Sequence, residues 1–267
     1  MQVKYAMLLH PGGYMYKIYK KSELCFSVII IVIYSIIQSV AIVGNNAVGV
    51  DYSVSALVTV ILSILLYCFV RRNDLLKYYG FKVAKVQWKH FLYFIPMLIL
   101  VSINLWNGVT INLPFGESVC YLVYMMSVAF VEEMLFRGFL FNALSKDGLR
   151  MAVIISSLTF GLGHLFNMIN GNGMTVFSNL CQVAGAIAVG LLLAVVLIKT
   201  GSIWPGIVTH AAIDMVSLFA NEDGLTNGRR ALFGIARIII VAVYLLFIVS
   251  SKQEAVDEES KDVGSVT

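Results

Sequence analysis

The chain has 267 residues, 59% of them apolar and only 13% charged, with a formal net charge of +4 and a mean hydropathy of +0.86. A soluble domain of this length needs a polar shell that so few charged residues cannot supply. The composition excludes a soluble globular enzyme and points to an all-α, polytopic membrane protein of one domain.

Residues 1–22 form a basic segment, expected to be cytosolic, that contains Pro11, Gly12 and Gly13. It has no small-residue cleavage site after a short apolar core, so the first apolar run reads as a retained anchor. Eight apolar runs follow, at 24–43, 54–70, 91–106, 118–141, 150–166, 176–198, 203–219 and 231–250. A helix crosses a ~30 Å hydrocarbon core with roughly 17 to 25 such residues. These runs predict about eight transmembrane helices, bundled within residues 23–250. Residues 251–267 carry Glu254, Asp257, Glu258, Glu259 and Asp262 and read as an acidic, disordered tail.

The basic residues are sided. Lys4, Lys17, Lys20, Lys21, Arg71, Arg72, Lys77, Lys82, Lys85, Lys89, Lys146, Arg150, Lys199, Lys252 and Lys261 fall on one side of the eight runs. The alternate loops hold only Arg229 and Arg230. Basic loops stay cytoplasmic, so both termini are expected in the cytosol. Arg237, near the outer end of the last run, reads as a peripheral residue that snorkels outward. Cys25, Cys68, Cys120 and Cys181 lie in separate apolar runs at spacings that fit no zinc or redox motif, and read as reduced thiols.

Within this apolar background the stretch "VEEMLFRG" (131–138) places Glu132, Glu133 and Arg137 in the fourth run. Ionisable groups inside spans mark a pathway or a site. The later runs add His164, His210 and Asp214, whereas the first three runs carry no comparable cluster. Glu133 and Arg137 are four residues apart, so they share a helix face and are expected to pair as a structural prop. Glu132 is turned about 100° from its neighbour, toward Phe136. "FGLGH" puts Phe160 and His164 on one face, with Phe160 read as packing, and "HAAID" does the same for His210 and Asp214. At 1.5 Å per residue, Glu132, His164, His210 and Asp214 lie roughly 14, 21, 10 and 16 Å from the cytosolic ends of their helices. Within a three-residue boundary error of about 5 Å, these all reach one level. Three helices thus bring two carboxylates and two imidazoles to one depth near mid-bilayer, which points to chemistry.

"EEMLFR", "FGLGH" and "HAAID" resemble, in order, the EExxxR, FxxxH and HxxxN/D motifs of the CPBP family. These are the CAAX proteases and bacteriocin-processing proteins, also called Abi. "KTGSIWPGIVTHAAID" is similar to that family's approach to its last motif, and the resemblance covers about residues 118–219. It implies an intramembrane endopeptidase. Glu132 would be the general base on a water held by His164, and His210 would stabilise the oxyanion. Glu133 and Arg137 would hold the helix, with Phe160 supporting. Asp214 stands where many members have asparagine; ionised, it cannot donate to an oxyanion, so it would orient His210 or act protonated.

The resemblance leaves the cofactor open. Glu132, His164, His210 and Asp214 are all zinc-ligand types, and three ligands plus water is a common catalytic arrangement. There is no HExxH, so water activated by Glu132 without an obligatory metal is the preferred expectation. The expected partners are membrane lipids and a peptide or lipidated peptide: a CAAX-like C-terminus, a peptide pheromone or a bacteriocin leader. No nucleic-acid partner is expected, and the setting is a bacterial plasma membrane. Two other classes compete. One is a non-catalytic bacteriocin-immunity protein, opposed by the intact Glu132, His164 and His210. The other is a proton-coupled transporter, opposed by the absence of paired broken helices.

Overall fold

The computed structural model describes residues 13–82, 95–170 and 174–250. The remainder of the third predicted run, the tail at 251–267 and residues 1–12 lie outside the described residues.

Every described element is helical, apart from one isolated bridge between Val109 and Ala220. A short helix, α1 (Tyr14–Lys21), precedes α2 (Glu23–Val48) and α3 (Ser53–Arg72). Next come α4 (Ile95–Ser102), prolonged by a 3₁₀ turn, and α5 (Phe115–Ser145). After these lie α6 (Leu149–Gly163), the short α7 (Leu165–Ile169), α8 (Val176–Thr200), α9 (Trp204–Val216) and α10 (Asn227–Ser250). The eight predicted runs thus correspond to α2–α6 and α8–α10. Five of these helices, α2, α3, α5, α8 and α10, are long and apolar enough to cross a membrane.

The polarity of the bundle is inverted relative to a soluble protein. Val28, Val32, Ile36, Val40 and Val43 of α2 are exposed, as are Leu232, Ile235, Ile239, Val243 and Leu246 of α10. Polar residues point inward instead: Gln38, Asn45, Thr59, Glu133, Arg137 and Asn179 are all buried. Lipid tails are as apolar as leucine, so helices in a membrane are joined by close packing and interhelical hydrogen bonds. Asn45 shows this directly: its Oδ1 accepts from the backbone N–H of Val54 and Ser55 at 2.9 and 3.1 Å, capping the start of α3. Further along α2, Gln38 donates to Thr59 on α3 and accepts from Tyr124 on α5.

The basic residues gather at one end of the bundle, where α1, the C-termini of α3, α5 and α8 and the N-termini of α2, α6 and α9 meet. Lys146 pairs with Glu23 at 2.8 Å, and Ile203 N–H donates to the Gly80 carbonyl at 3.0 Å. Gly80 has φ +73°, and a Cβ there would lie 3.0 Å from the Gly201 carbonyl, so both conformation and contact require glycine.

Helix length shapes the other end. α6 has 15 residues and α9 has 13, which makes them about 22 and 20 Å long, well short of a ~30 Å hydrocarbon core. Both start at the basic end. They therefore stop inside the bundle, and the segments that follow them enclose a cavity of about 290 Å³. Asn107, Asn221, Glu222 and Arg230 line it on the side away from the basic end.

Candidate active site

The middle of α5 departs from the α-helix that the EExxxR spacing assumes. From Met134 to Leu140 the backbone is a π-helix, and all seven residues are buried. The wider turn disturbs the i→i−4 ladder, and π-turns of this kind concentrate at functional sites. Asn142 supports it: its side-chain amide donates to the carbonyls of Arg137 and Gly138 at 3.0 and 2.7 Å.

Glu133 immediately precedes this turn and Arg137 lies within it; the two are 3.0 Å apart and each only 1% exposed. Space for the pair comes from two glycines on neighbouring helices. A Cβ on Gly206 would lie 3.1 Å from Glu133 Oε2, and one on Gly190 would lie 3.2 Å from an Arg137 nitrogen. Among the described residues no Arg137 N–H is aligned on an acceptor. Its guanidinium instead lies over the Phe160 ring, 4.3 Å from the centroid, in a cation–π contact. Phe160, read from sequence as packing, therefore carries part of the electrostatics as well.

The two glutamates grip one imidazole from opposite sides. His210 Nδ1 donates to Glu133 Oε1 at 3.0 Å, which fixes the proton on that nitrogen because a carboxylate can only accept. His210 Nε2 faces Asp214 Oδ2 at 3.3 Å and Glu132 Oε2 at 3.8 Å. The role given to Glu133 by spacing alone, as a prop with Arg137, is thus incomplete, since it also holds His210. Glu132 and Asp214 remain partly accessible, with side chains 17% and 27% exposed.

The other oxygen of Glu132 is held by a residue that sequence reasoning missed: Tyr34 on α2 donates to Oε1 at 3.0 Å. A signal for it was present. Tyr34, Gln38, Ala41 and Asn45 are all buried and recur at helical spacing, a weakly polar stripe in an apolar run. A search for ionisable groups passes over such a stripe.

His164 does not lie within a helix. It caps the end of α6, its backbone N–H bonded to the Gly161 carbonyl, and Nδ1 donates to the Phe160 carbonyl at 3.2 Å. That leaves Nε2 as an acceptor. His164 lines the same cavity as Phe160, His210 and Asp214. Gly161 of the same motif allows α6 to touch α8; a Cβ there would clash with the Ile187 side chain.

Arg237 also overturns an expectation. It points inward and lines the cavity rather than snorkelling outward, because Asn104 on the turn after α4 accepts from its Nη2 at 3.0 Å. As for a metal, the donor types are suitable, but among the described residues no group of three or more His, Cys, Asp or Glu is disposed to hold one.

Residues 114–216 match the family model described as type II CAAX prenyl endopeptidase Rce1-like. The match begins at α5 and ends with α9, so it takes in every residue of the cluster except Tyr34 and Arg237. No curated protein and no solved structure matches the chain. Over residues 114–216 this multi-pass membrane protein is similar to the Rce1-like family of CAAX proteases.

Proposed function

We propose that the chain is an intramembrane endopeptidase of the plasma membrane, hydrolysing a peptide bond with a water activated by Glu132. The observation that carries this reading is the approach of Glu132 Oε2 to His210 Nε2 at 3.8 Å beside a cavity. A water ~2.8 Å from each would bridge them. Tyr34 occupies Oε1, which leaves Oε2 for that water.

In the forward step Glu132 takes a proton as the water oxygen attacks the peptide carbonyl carbon. The carbonyl oxygen gains the negative charge and is met by Nε2–H of His210, a charged donor when both ring nitrogens are protonated. Glu133 at Nδ1 and Asp214 at Nε2 supply acceptors for both ring N–H groups. Collapse breaks the C–N bond, and Glu132 returns its proton to the leaving amine. His164 Nε2 accepts from the water or from a substrate N–H and so orients the reacting groups. Arg137, neutralised by Glu133, keeps the π-turn and its carboxylate in place.

Asn107, Asn221, Glu222 and Arg230 line the cavity on the side away from the basic end, which supports delivery of the substrate from the extracytoplasmic side. Exported peptide pheromones or leader peptides fit that route better than a cytosolic C-terminus. The reading is tested by exposing a peptide library to the purified protein, with Glu132→Ala as control. Bonds cut by the wild type and spared by the variant support it; equal cleavage by both, or none by the wild type, overturns it.

A further inference from the structure

Arg237 is a cation that the proposed chemistry does not use. It lies in the cavity with His164, His210 and Asp214. Among the described residues no carboxylate oxygen comes within 4.0 Å of it. Asp214 acts on it only from beyond that distance; a guanidinium outside a close ion pair within a membrane protein is costly, and such residues mark sites by default.

The surroundings of Arg237 are built to present it. Gly185 on α8 faces it, and a Cβ there would meet Nη1 at 2.9 Å. Asn104 accepts from Nη2 at 3.0 Å, and its own amide donates to the Ile213 carbonyl at 2.9 Å. One side chain thus ties the guanidinium to the turn of α9 that carries Asp214, which sets the distance from Arg237 to the reacting groups. A second group points the same way. Gln182 lines the cavity, and its buried Oε1 has no hydrogen-bond partner among the described residues. The cavity therefore offers a fork of donors and, separately, an unused acceptor. The fork matches a carboxylate in two-point contact, and the acceptor matches a peptide N–H.

We infer that Arg237, with Gln182, forms a subsite that binds a carboxylate on the peptide substrate. The carboxylate is either the free α-carboxylate of a C-terminus or the side chain of an acidic residue close to the cleaved bond. The inference rests on the endopeptidase reading, which it deepens by giving the substrate a charge and the cleavage position a fixed offset from it.

Binding to the Glu132→Gln protein, where no probe is consumed, tests this. Three fluorescent apolar hexapeptides of Ala, Val, Leu and Ile serve as probes. One has a free C-terminus, one a C-terminal amide, and one an amide with a single internal Glu. The free acid, the Glu peptide or both should bind about 10- to 100-fold more tightly than the plain amide, the range expected for a charge-assisted pair. Tight binding of the free acid alone identifies the α-carboxylate, and tight binding of the Glu peptide identifies a side chain. Arg237→Gln should erase the preference and Arg237→Lys should keep part of it. Should Arg237→Gln fail to fold, the acid-against-amide comparison on the Glu132→Gln protein carries the same test. Equal or absent binding of all three probes overturns the subsite. A carboxylate preference without cleavage by the wild type would remove the endopeptidase reading and leave the subsite standing, whereas cleavage indifferent to the carboxylate would do the reverse.

Discussion

Glu133 and His210 are joined through Nδ1 at 3.0 Å, and the same carboxylate oxygen lies 3.0 Å from Arg137. The second glutamate of the motif therefore couples two functions, neutralising a buried cation and fixing the ring that faces Glu132. These functions separate by substitution. Glu133→Leu leaves Arg137 unpaired at 1% exposure and should cost about 3–5 kcal/mol of stability. Adding Arg137→Met removes the stranded charge, so the double variant should regain folded protein yet stay inactive, because Nδ1 has lost its acceptor. Glu133→Gln with Arg137→Met keeps an amide acceptor and should regain both folding and part of the activity. Yield, melting temperature and cleavage rate of the three proteins check this, and an active Leu/Met double variant would show that Glu133 does not orient His210.

Tyr34 should act through Glu132 alone. Tyr34→Phe removes one hydrogen bond, worth about 0.5–1.5 kcal/mol, and should lower kcat roughly tenfold or less, with little change in KM. A variant with unchanged kcat but a strongly lowered melting temperature would reduce Tyr34 to a packing residue.

Asp214 decides between a metal and bare side chains. Asparagine retains an oxygen that accepts from His210 Nε2–H but is a far poorer metal ligand. Asp214→Asn should therefore keep activity within about tenfold and resist chelators, as should the wild type. Elemental analysis of both proteins accompanies the assay. Stoichiometric zinc in the wild type, lost together with activity in Asp214→Asn, would replace the side-chain mechanism by a metal-centred one.

The sidedness of the cavity is open to a labelling measurement. Glu222 lines the cavity on the side away from the basic end and Lys77 lies at the basic end, both exposed. In intact cells Glu222→Cys should react with a membrane-impermeant thiol reagent, and Lys77→Cys only after permeabilisation, against the background of the four native cysteines. The opposite pattern would place the mouth in the cytosol and turn the substrate assignment toward cytosolic C-termini.

The legible parts of this molecule are those set by spacing. Residue runs of apolar character located the helices, and the four-residue interval of Glu133 and Arg137 anticipated their contact because even a distorted helix keeps such neighbours together. Three features lay beyond that logic. The π-turn at Met134–Leu140 depends on Asn142 reaching back to two carbonyls, a tertiary detail with no periodic trace. Tyr34 contributes through a hydroxyl, so counting charges in the early spans overlooked it. Arg237 sits near a helix end, where snorkelling is the general rule, and only its bond to the remote Asn104 reverses the direction. The shortness of α6 and α9 likewise needed observed ends, since the apolar runs extend beyond them.

The central claim is that Glu132 takes a proton from water at the level of His210. Its most direct test is the single-turnover cleavage rate of Glu132→Gln beside the wild type, on any peptide the wild type cuts. Glutamine keeps the size of the side chain and an acceptor for Tyr34, but it cannot take the proton. The variant should fold with unchanged melting temperature, and its rate should fall by about 10²–10⁴. Cleavage by that variant at the wild-type rate would contradict it.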